Sequence, residues 1–195
     1  MIQILQIYRD FLKPGTDSAY RENEEEAARI CARLECPNPY LTIESLSGPQ
    51  EFWYLNGYQS TSHQTAVAEG YRRNVPLMTA LNTIAGRKSG LILAPLDIIT
   101  RYRADLTSGS PWRIGEGRFL VITVTRRYGH AEGTVFEAED GTLFIIRSAR
   151  SRDEADARAT AAGVDTRVFA VRPSLSTASR DWMTSDPEFW QPQAR

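Results

Sequence analysis

The sequence predicts an α+β protein made of two ferredoxin-like halves, and three observations support this fold class. Residues 1–106 show the element order βαββαβ, which is the split βαβ arrangement. The segment 107–117 is rich in Gly, Ser and Pro, which is typical of a linker. A similar order follows over 118–176, but a tight loop at 129–132 replaces the first helix. We expect the two halves to pack sheet to sheet, followed by an aromatic tail at 177–195.

The first two elements follow from residue periodicity and from chain breakers. Apolar residues alternate over 2–11, as they do in a strand, and a Pro-Gly pair then ends the strand. Thr16 or Asp17 can cap the helix that follows, and its acidic first turns suit the positive end of the helix dipole. Pro37 ends this helix, so one helix is expected between the first two strands.

The rest of the first half predicts a hairpin, two helices and a last strand. Residues 40–58 contain two extended segments joined through the Ser-Gly-Pro turn at 47–49. Thr61 and Gln64 form a capping box at the start of the next helix. Pro76 suits the first turn of another helix, after which PLDIITRYRADL returns as a strand. These elements complete the βαββαβ order.

The second half repeats this pattern in a degenerate form. Residues 118–128 resemble the opening strand, a hairpin follows, and Ser151 opens a helix with a second capping box. Thr61 precedes Ser151 by 90 positions, and Trp53 precedes Leu143 by the same number. One sheet with too few helices leaves an apolar face uncovered. We expect the other half or another subunit to cover it.

The composition narrows the class of protein. The 195 residues are 42% hydrophobic and carry a net charge of −1. This composition is typical of a packed globular core, and the charge argues against a nucleic-acid footprint and against attraction to membranes. No apolar run reaches the roughly 20 residues of a transmembrane helix, and the first residues lack the pattern of a signal peptide. We therefore expect a cytoplasmic protein.

Two cysteines, Cys31 and Cys36, lie on one predicted helix and its end. Two are too few for a disulfide framework, so we expect core thiols. The histidines, His63 and His130, are far away in sequence, so no zinc spacing appears. The chain also lacks nucleophile-elbow, Walker and dinucleotide-binding motifs. We predict no metal and no cofactor.

Several segments together resemble the dimeric α+β-barrel superfamily, which includes NIPSNAP-type and antibiotic-biosynthesis monooxygenase-like proteins. They are LKPG at 12–15, the acidic first helix, the hairpin with SGPQEFWYL, and the capped helix after Thr61. The resemblance implies two ferredoxin-like units that enclose a cavity, and a tandem chain supplies both units itself. It also implies diverse activities, among them cofactor-free oxygenases, haem-degrading enzymes, isomerases and decarboxylases. For haem, His63, Asn56 and Trp53 offer the residue types, but their positions do not match that motif.

The segment GPQEFWYLNGY, residues 48–58, supports two interpretations. Strand alternation places Glu51 and Trp53 on one face and Asn56 on the other. The aromatic side chains fit a core strand that is buried on both faces. They also fit a ligand wall, because a carboxylate beside Trp53 in a dry cavity has a raised pKa and suits general acid or base catalysis.

Basic residues and one loop histidine provide further candidates. Arg101 and Arg103 share a strand face, and four more arginines follow before residue 128. A convergent group would bind a carboxylate or phosphate; the alternative is a solvated edge with salt bridges to the acidic first helix. His130 lies in the tight loop, where it is either exposed or placed for proton transfer.

Together these observations predict a small-molecule-binding or cofactor-independent, monooxygenase-like domain with its ligand between the sheets. The predicted ligand-binding residues are Tyr8, Trp53, Asn56, Arg101 and Arg103. One alternative is a structural or protein-interaction module with a packed interior, and a haem-binding protein is another. Three large aromatic residues in the tail predict contact with a groove of the same chain or of a neighbour, so we also expect a homo-oligomer.

Overall fold

The computed structural model describes residues 1–127, 132–162 and 165–190. Its eight strands are β1 Ile4–Leu12, β2 Tyr40–Ser45, β3 Glu51–Tyr58, β4 Ile92–Tyr102, β5 Phe119–Thr125, β6 Thr134–Ala138, β7 Leu143–Ala149 and β8 Thr166–Val171. Its helices are α1 Asp17–Arg33, α2 Thr61–Arg73, α3 Val75–Lys88, α4 Arg152–Ala162, α5 Arg180–Ser185 and α6 Pro187–Trp190. The α+β class is confirmed.

The eight strands form one closed antiparallel barrel in the order β1-β3-β2-β8-β5-β7-β6-β4. The first four strands therefore lie in the order β4-β1-β3-β2, and the last four lie in the corresponding order β8-β5-β7-β6. Two strand pairs join these sets, β2 with β8 at Ile43–Val171 and β4 with β6 at Thr100–Ala138. The two sheets are thus hydrogen-bonded edge to edge, in addition to facing each other across the interior.

Apolar side chains fill the interior of the barrel. Strand alternation points Leu5 and Ile7 of β1 inward, and the same alternation on the other strands completes one cluster of buried residues. The Trp53 ring lies at its centre, 4.6 Å from the Phe169 ring and 6.2 Å from the Phe144 ring between centroids. The predicted ligand cavity between the sheets is therefore wrong, because these side chains occupy that space.

The predicted spacing of 90 residues pairs side chains on opposite faces of the barrel wall, whereas a spacing of 91 pairs Trp53 with Phe144 on the same face. Trp53 of β3 points inward, and so does Phe144 of β7, whereas Leu143 packs outside the barrel. The cap of α2 is Ser60, whose Oγ accepts the His63 N–H, and Ser151 accepts the Glu154 N–H in the same way. A slip of one residue exchanges the two faces of a strand.

The helices cover the outer face of the barrel. Helices α1, α2 and α3 pack over the first four strands, and Ala155 of α4 packs over the second set against Val121 and Val168. The prediction that a loop replaces the first helix of the second half falls partly on residues 128–131, outside the described part of the chain. Within the described ranges, no helix combines the length and apolarity that a membrane crossing requires.

The predicted linker and the aromatic tail close one end of the barrel. Trp112 of the linker and Trp182 and Trp190 of the tail are buried in the same cluster as the barrel interior. Arg118 and Asp186 form a salt bridge of 2.9 Å that holds the tail against the start of β5. The tail thus lies on its own chain, which is one of the two predicted arrangements.

A disulfide joins Cys31 and Cys36, so the prediction of two core thiols is wrong. Helix α1 ends at Arg33, and Glu35 then adopts a left-handed conformation with a φ of 55°. This turn brings the two Cα atoms to 4.7 Å, within the range that a disulfide spans. The sequence pattern gives no sign of this turn, because Glu35 is not a residue type that favours a left-handed conformation.

We predict that Gly115→Ala destabilises the protein more than Gly141→Ala does. Both glycines have a positive φ, 88° and 80°, so alanine at either position costs about 1–2 kcal/mol in backbone strain. At Gly115 the new Cβ would also lie 2.4 Å from the Trp182 ring, whereas nothing lies within 4 Å at Gly141. Urea unfolding followed by tryptophan fluorescence measures both variants. Equal losses would show that Trp182 does not pack there in solution.

Candidate functional site

A pocket of about 1270 Å³ lies outside the barrel, between the sheet and helices α1, α2 and α3. Its floor is the outer face of β1, β3 and β4, because strand alternation directs every second side chain away from the core. Gln6, Tyr8 and Asp10 of β1 alternate with the buried Leu5 and Ile7 in this way. The pocket contains two polar clusters and an apolar wall.

The first group, called the Gln6 cluster, consists of Gln6, Tyr8, Tyr58 and Asp97. The Gln6 amide nitrogen donates to Tyr8 Oη at 2.6 Å and to the Asp97 carboxylate at 2.9 Å. Tyr58 Oη donates to the Gln6 amide oxygen at 3.2 Å. Since Tyr8 Oη accepts from Gln6, its own proton is left for another partner. Burial, and then the negative charge of Asp97, raise the pKa of Tyr8 to about 12, so this hydroxyl is a donor at neutral pH.

The second group, called the Lys88 cluster, consists of Asp10, Tyr20, Glu24, Tyr54 and Lys88. Lys88 Nζ lies 2.7 Å from Asp10 Oδ2 and 3.3 Å from Glu24 Oε1, and both carboxylates are almost fully buried. Tyr20 donates to Asp10 at 2.7 Å, and its oxygen lies 2.6 Å from that of Tyr54. Lys88 Nζ also lies 4.6 Å from the centre of the Tyr54 ring, a cation–π contact. One ammonium therefore serves two buried carboxylates.

Apolar side chains form the wall between and around these clusters. Val67 of α2 and Ile84 of α3 face the pocket from the helices, and Ile92 faces it from β4. Leu93 and Ile99 of β4 form part of its rim and are 67% and 49% exposed. A pocket with apolar walls and a few convergent polar groups is the usual form of a small-molecule site.

The five residues that the sequence predicted do not lie together. Tyr8 and Asn56 line the pocket, as side chains on the outer face of β1 and β3. Trp53 lies inside the barrel on the opposite face of the same sheet and is fully buried. Arg101 and Arg103 line neither the pocket nor the barrel interior. Ligand binding by any of the five stays a prediction.

Arg103, Arg118 and Arg126 form separate salt bridges. Arg103 pairs with Asp105 at 2.6 Å and with Glu137 of β6. Arg118 pairs with Asp186, and Arg126 pairs with Asp140 at 2.7 Å. None of these acidic partners lies in α1. The expected salt bridges are thus present, but their acidic partners differ from the predicted ones.

Glu51, the predicted acid or base, forms an ion-pair cluster with Arg9 and Arg167 inside the barrel mouth. Arg9 donates to both Glu51 oxygens, the closest contact being 3.0 Å, and Arg167 forms a second salt bridge with the same carboxylate. Burial lowers the pKa of Arg9, and burial followed by repulsion from Arg9 lowers the pKa of Arg167 to about 10. Two guanidinium groups therefore hold Glu51, and it does not line the pocket.

The histidine candidates do not form a site in the described structure. His63 lies at the start of α2, where its Nδ1 accepts the Gln59 N–H at 3.2 Å. Trp53 and Asn56 point to opposite faces of β3, so the three haem-type residues do not converge. His130 lies outside the described residues. Among the described residues, no group of three His, Cys, Asp or Glu side chains is placed to hold a metal ion.

The chain shares its fold with a protein from Lactobacillus acidophilus NCFM that is provisionally named a monooxygenase. The TM-score is 0.52 at 8% identity, over 88% of this chain and 94% of that one. A similarly named protein from Fusobacterium nucleatum gives 0.48 at 10% identity, over 96% and 87%. No family model matches the sequence, and no curated protein matches it. At this identity the likeness to the Lactobacillus protein shows a shared fold alone.

The sequence contained weak signals for the polar residues that it did not identify. Gln6 and Asp10 lie two positions before and after the predicted Tyr8, on the strand face opposite Leu5 and Ile7. Lys88 is one of only two lysines in a chain with 21 arginines. Glu24 is one of several acidic residues in α1, and nothing local separates it from its exposed neighbours. Its burial depends on the contact between α1 and the end of α3.

We predict that Lys88→Met destabilises the fold by about 3 kcal/mol or more, because it leaves two buried carboxylates without a cation. Lys13→Met is the matched control. Lys13 is the other lysine, and its ammonium contacts only an exposed carbonyl, that of Gly90. Its change is expected to stay within about 0.5 kcal/mol. Urea unfolding measures both variants, and equal effects would contradict the structural role of Lys88.

We predict that the protein loses stability as the pH rises above about 10. Burial raises the pKa of Tyr8, Tyr20, Tyr54 and Tyr58 above the unfolded value of about 10. The stability that these groups contribute is complete below that pH and is lost as the pH rises through their folded-state pKa values. Near-ultraviolet absorbance should therefore show tyrosinate appearing together with unfolding. Early ionisation of all eight tyrosines in folded protein would contradict the burial.

Proposed function

We propose that this chain binds a mostly apolar organic molecule with polar groups in the sheet–helix pocket and oxidises it without a bound cofactor. The observation that carries the proposal is the pocket itself, in which apolar walls separate the Gln6 and Lys88 clusters. The name given to the Lactobacillus protein favours monooxygenase chemistry among the activities of the superfamily. The site differs from the predicted one, since it lies outside the barrel.

Oxygenation without a cofactor requires a substrate that supplies the electrons itself. An enolisable CH₂ group loses a proton, its anion reacts with O₂, and the group becomes a carbonyl. The second oxygen atom leaves as water with the two hydrogens. In this proposal Tyr8 donates a hydrogen bond to the enolate oxygen. Asp97, which belongs to the same hydrogen-bonded cluster, accepts the proton.

The architecture that supports this site is an internal pair of ferredoxin-like halves. The corresponding strand orders and the spacing of 91 residues favour this interpretation. A homo-oligomer remains part of the proposal, whereas the expected cytoplasmic location does not. The exposed Leu93 and Leu96 favour self-association. The disulfide between Cys31 and Cys36 argues against a reducing compartment.

A non-catalytic interaction module is the second candidate function. The packed barrel interior favours this function, because the described side chains around Trp53 occupy the space that a ligand would need. The two functions differ in one respect that can be measured, because only the enzyme needs a reactive small molecule in the outer pocket. Binding without turnover would support a binding module.

We predict that the protein catalyses the oxidation of anthrone, an enolisable aromatic ketone, in air, and that Tyr8→Phe lowers kcat/KM by about tenfold or more. The variant removes one hydrogen-bond donor from the pocket and little volume. Tyr102→Phe is the matched control, because Tyr102 packs beside Phe136 on the barrel side of β4. Oxygen consumption and product absorbance measure the rate. If the unaltered protein neither binds nor oxidises anthrone, that result opposes this proposal.

A further inference from the structure

A second pocket, of about 410 Å³, lies on the other half of the barrel. It is bounded by the linker 107–117, by the start of β6, by β7 and by α4. Polar side chains predominate in its lining, and we call it the Arg147 pocket. Its basic and hydroxyl residues are Arg113, Arg147, Arg158, Ser108, Ser110, Thr134 and Ser148. The function proposed above uses none of them.

Arg147 is the unusual residue of this pocket. It lies on the outer face of β7 and is only 9% exposed. Its Nη2 donates to Thr123 Oγ1 at 2.9 Å, but its Nε has no hydrogen-bond partner in the described part of the chain. Among the described residues, no carboxylate oxygen lies within 4.0 Å of its guanidinium. Buried arginines are normally paired, so this guanidinium retains capacity for an anion.

The surrounding charges favour an anion with more than one negative charge. The titratable groups that border the pocket are Arg113, Arg147, Arg158, Glu116 and Glu132. Burial lowers the pKa of Arg147, repulsion from Arg158 lowers it further, and Glu132 acts in the opposite direction. A dianion near both guanidiniums would offset that repulsion, whereas a single carboxylate would offset less of it.

Arg113 and Arg158 are free to turn toward such an anion at little cost. Arg158 pairs with Glu154 one helical turn earlier, at 2.9 Å, and its side chain is 42% exposed. Arg113 pairs with Glu116 at 3.8 Å and is 88% exposed. Exposed ion pairs of this kind contribute little to stability, so exchanging a carboxylate for a phosphate is inexpensive.

The position of Arg147 in the barrel also favours a ligand site. Arg147 follows Asn56 by 91 residues, the spacing that relates Trp53 to Phe144. Asn56 faces the pocket of the first half, and Arg147 faces the pocket of the second. Asn56 and Arg147 therefore each face a pocket from the outer side of their strand.

We propose that the Arg147 pocket binds the phosphate group of a small phosphorylated molecule. The Arg147 guanidinium provides a fixed contact from β7, and Arg158 provides a second contact from α4. The serine hydroxyls of the linker supply further donors to the phosphate oxygens.

Calorimetric titration of the full chain with sodium phosphate, at constant ionic strength, tests this proposal. We expect a Kd of about 1 mM or below for inorganic phosphate and weaker binding of acetate. Arg147→Gln should raise the phosphate Kd by about tenfold or more. Arg158→Gln is a second variant at a half-exposed position, where the fold is not at risk, and it should also weaken binding.

Arg152→Gln is the matched control. Arg152 lies on the same helix, pairs with Asp156 four residues later and is 46% exposed, but it does not border the pocket. Its variant should bind phosphate as the unaltered protein does. The proposal is overturned if phosphate does not bind, if acetate binds as tightly, or if Arg152→Gln weakens binding as much as Arg158→Gln. These outcomes are independent of anthrone oxidation at the other pocket.

Discussion

Closure of the barrel is the constraint on which the rest of the structure depends. Two short strand pairings, β2 with β8 and β4 with β6, close the eight strands into a barrel in which each strand has two hydrogen-bonded neighbours. Every strand then has one face in a shared apolar core and one face outside it. Polar residues such as Gln6 and Asp10 can lie only on the outer face, and the pockets form there, under the helices.

A cluster of charged side chains lies inside the barrel mouth, next to the apolar core. Glu51 is fully buried, yet two guanidinium groups, those of Arg9 and Arg167, reach its carboxylate. The Arg9 guanidinium also lies 4.5 Å from the centre of the Trp53 ring, which adds a cation–π contact. Hydrogen bonds to both carboxylate oxygens offset part of the desolvation cost. These ion pairs account for the presence of Glu51, the predicted acid or base, in the barrel mouth.

The order of the elements was predictable because it depends on local patterns, whereas the site depends on tertiary contacts. Alternation correctly separated Trp53 from Asn56, but alternation does not show which face meets the helices. Trp53 and Asn56 were therefore both candidates, although they lie on opposite faces of β3. The Lys88 cluster combines β1, β3, α1 and α3, and the disulfide needs the left-handed turn at Glu35. No pattern along the chain encodes the contacts of the Lys88 cluster, because its elements lie far apart in sequence.

The shared core explains why the inward positions of the two sets of strands are alike and the outward positions differ in chemistry. Inward positions keep large apolar side chains in both halves, as Trp53 and Phe144 do, because both fill one core. Outward positions share no core, so Asn56 and Arg147 are free to differ. The first half places two acidic residues around one lysine beneath α1 and α3. The second places a buried arginine beneath the linker and α4. One barrel therefore supports two pockets whose charged side chains differ, because the core restricts only the inward positions.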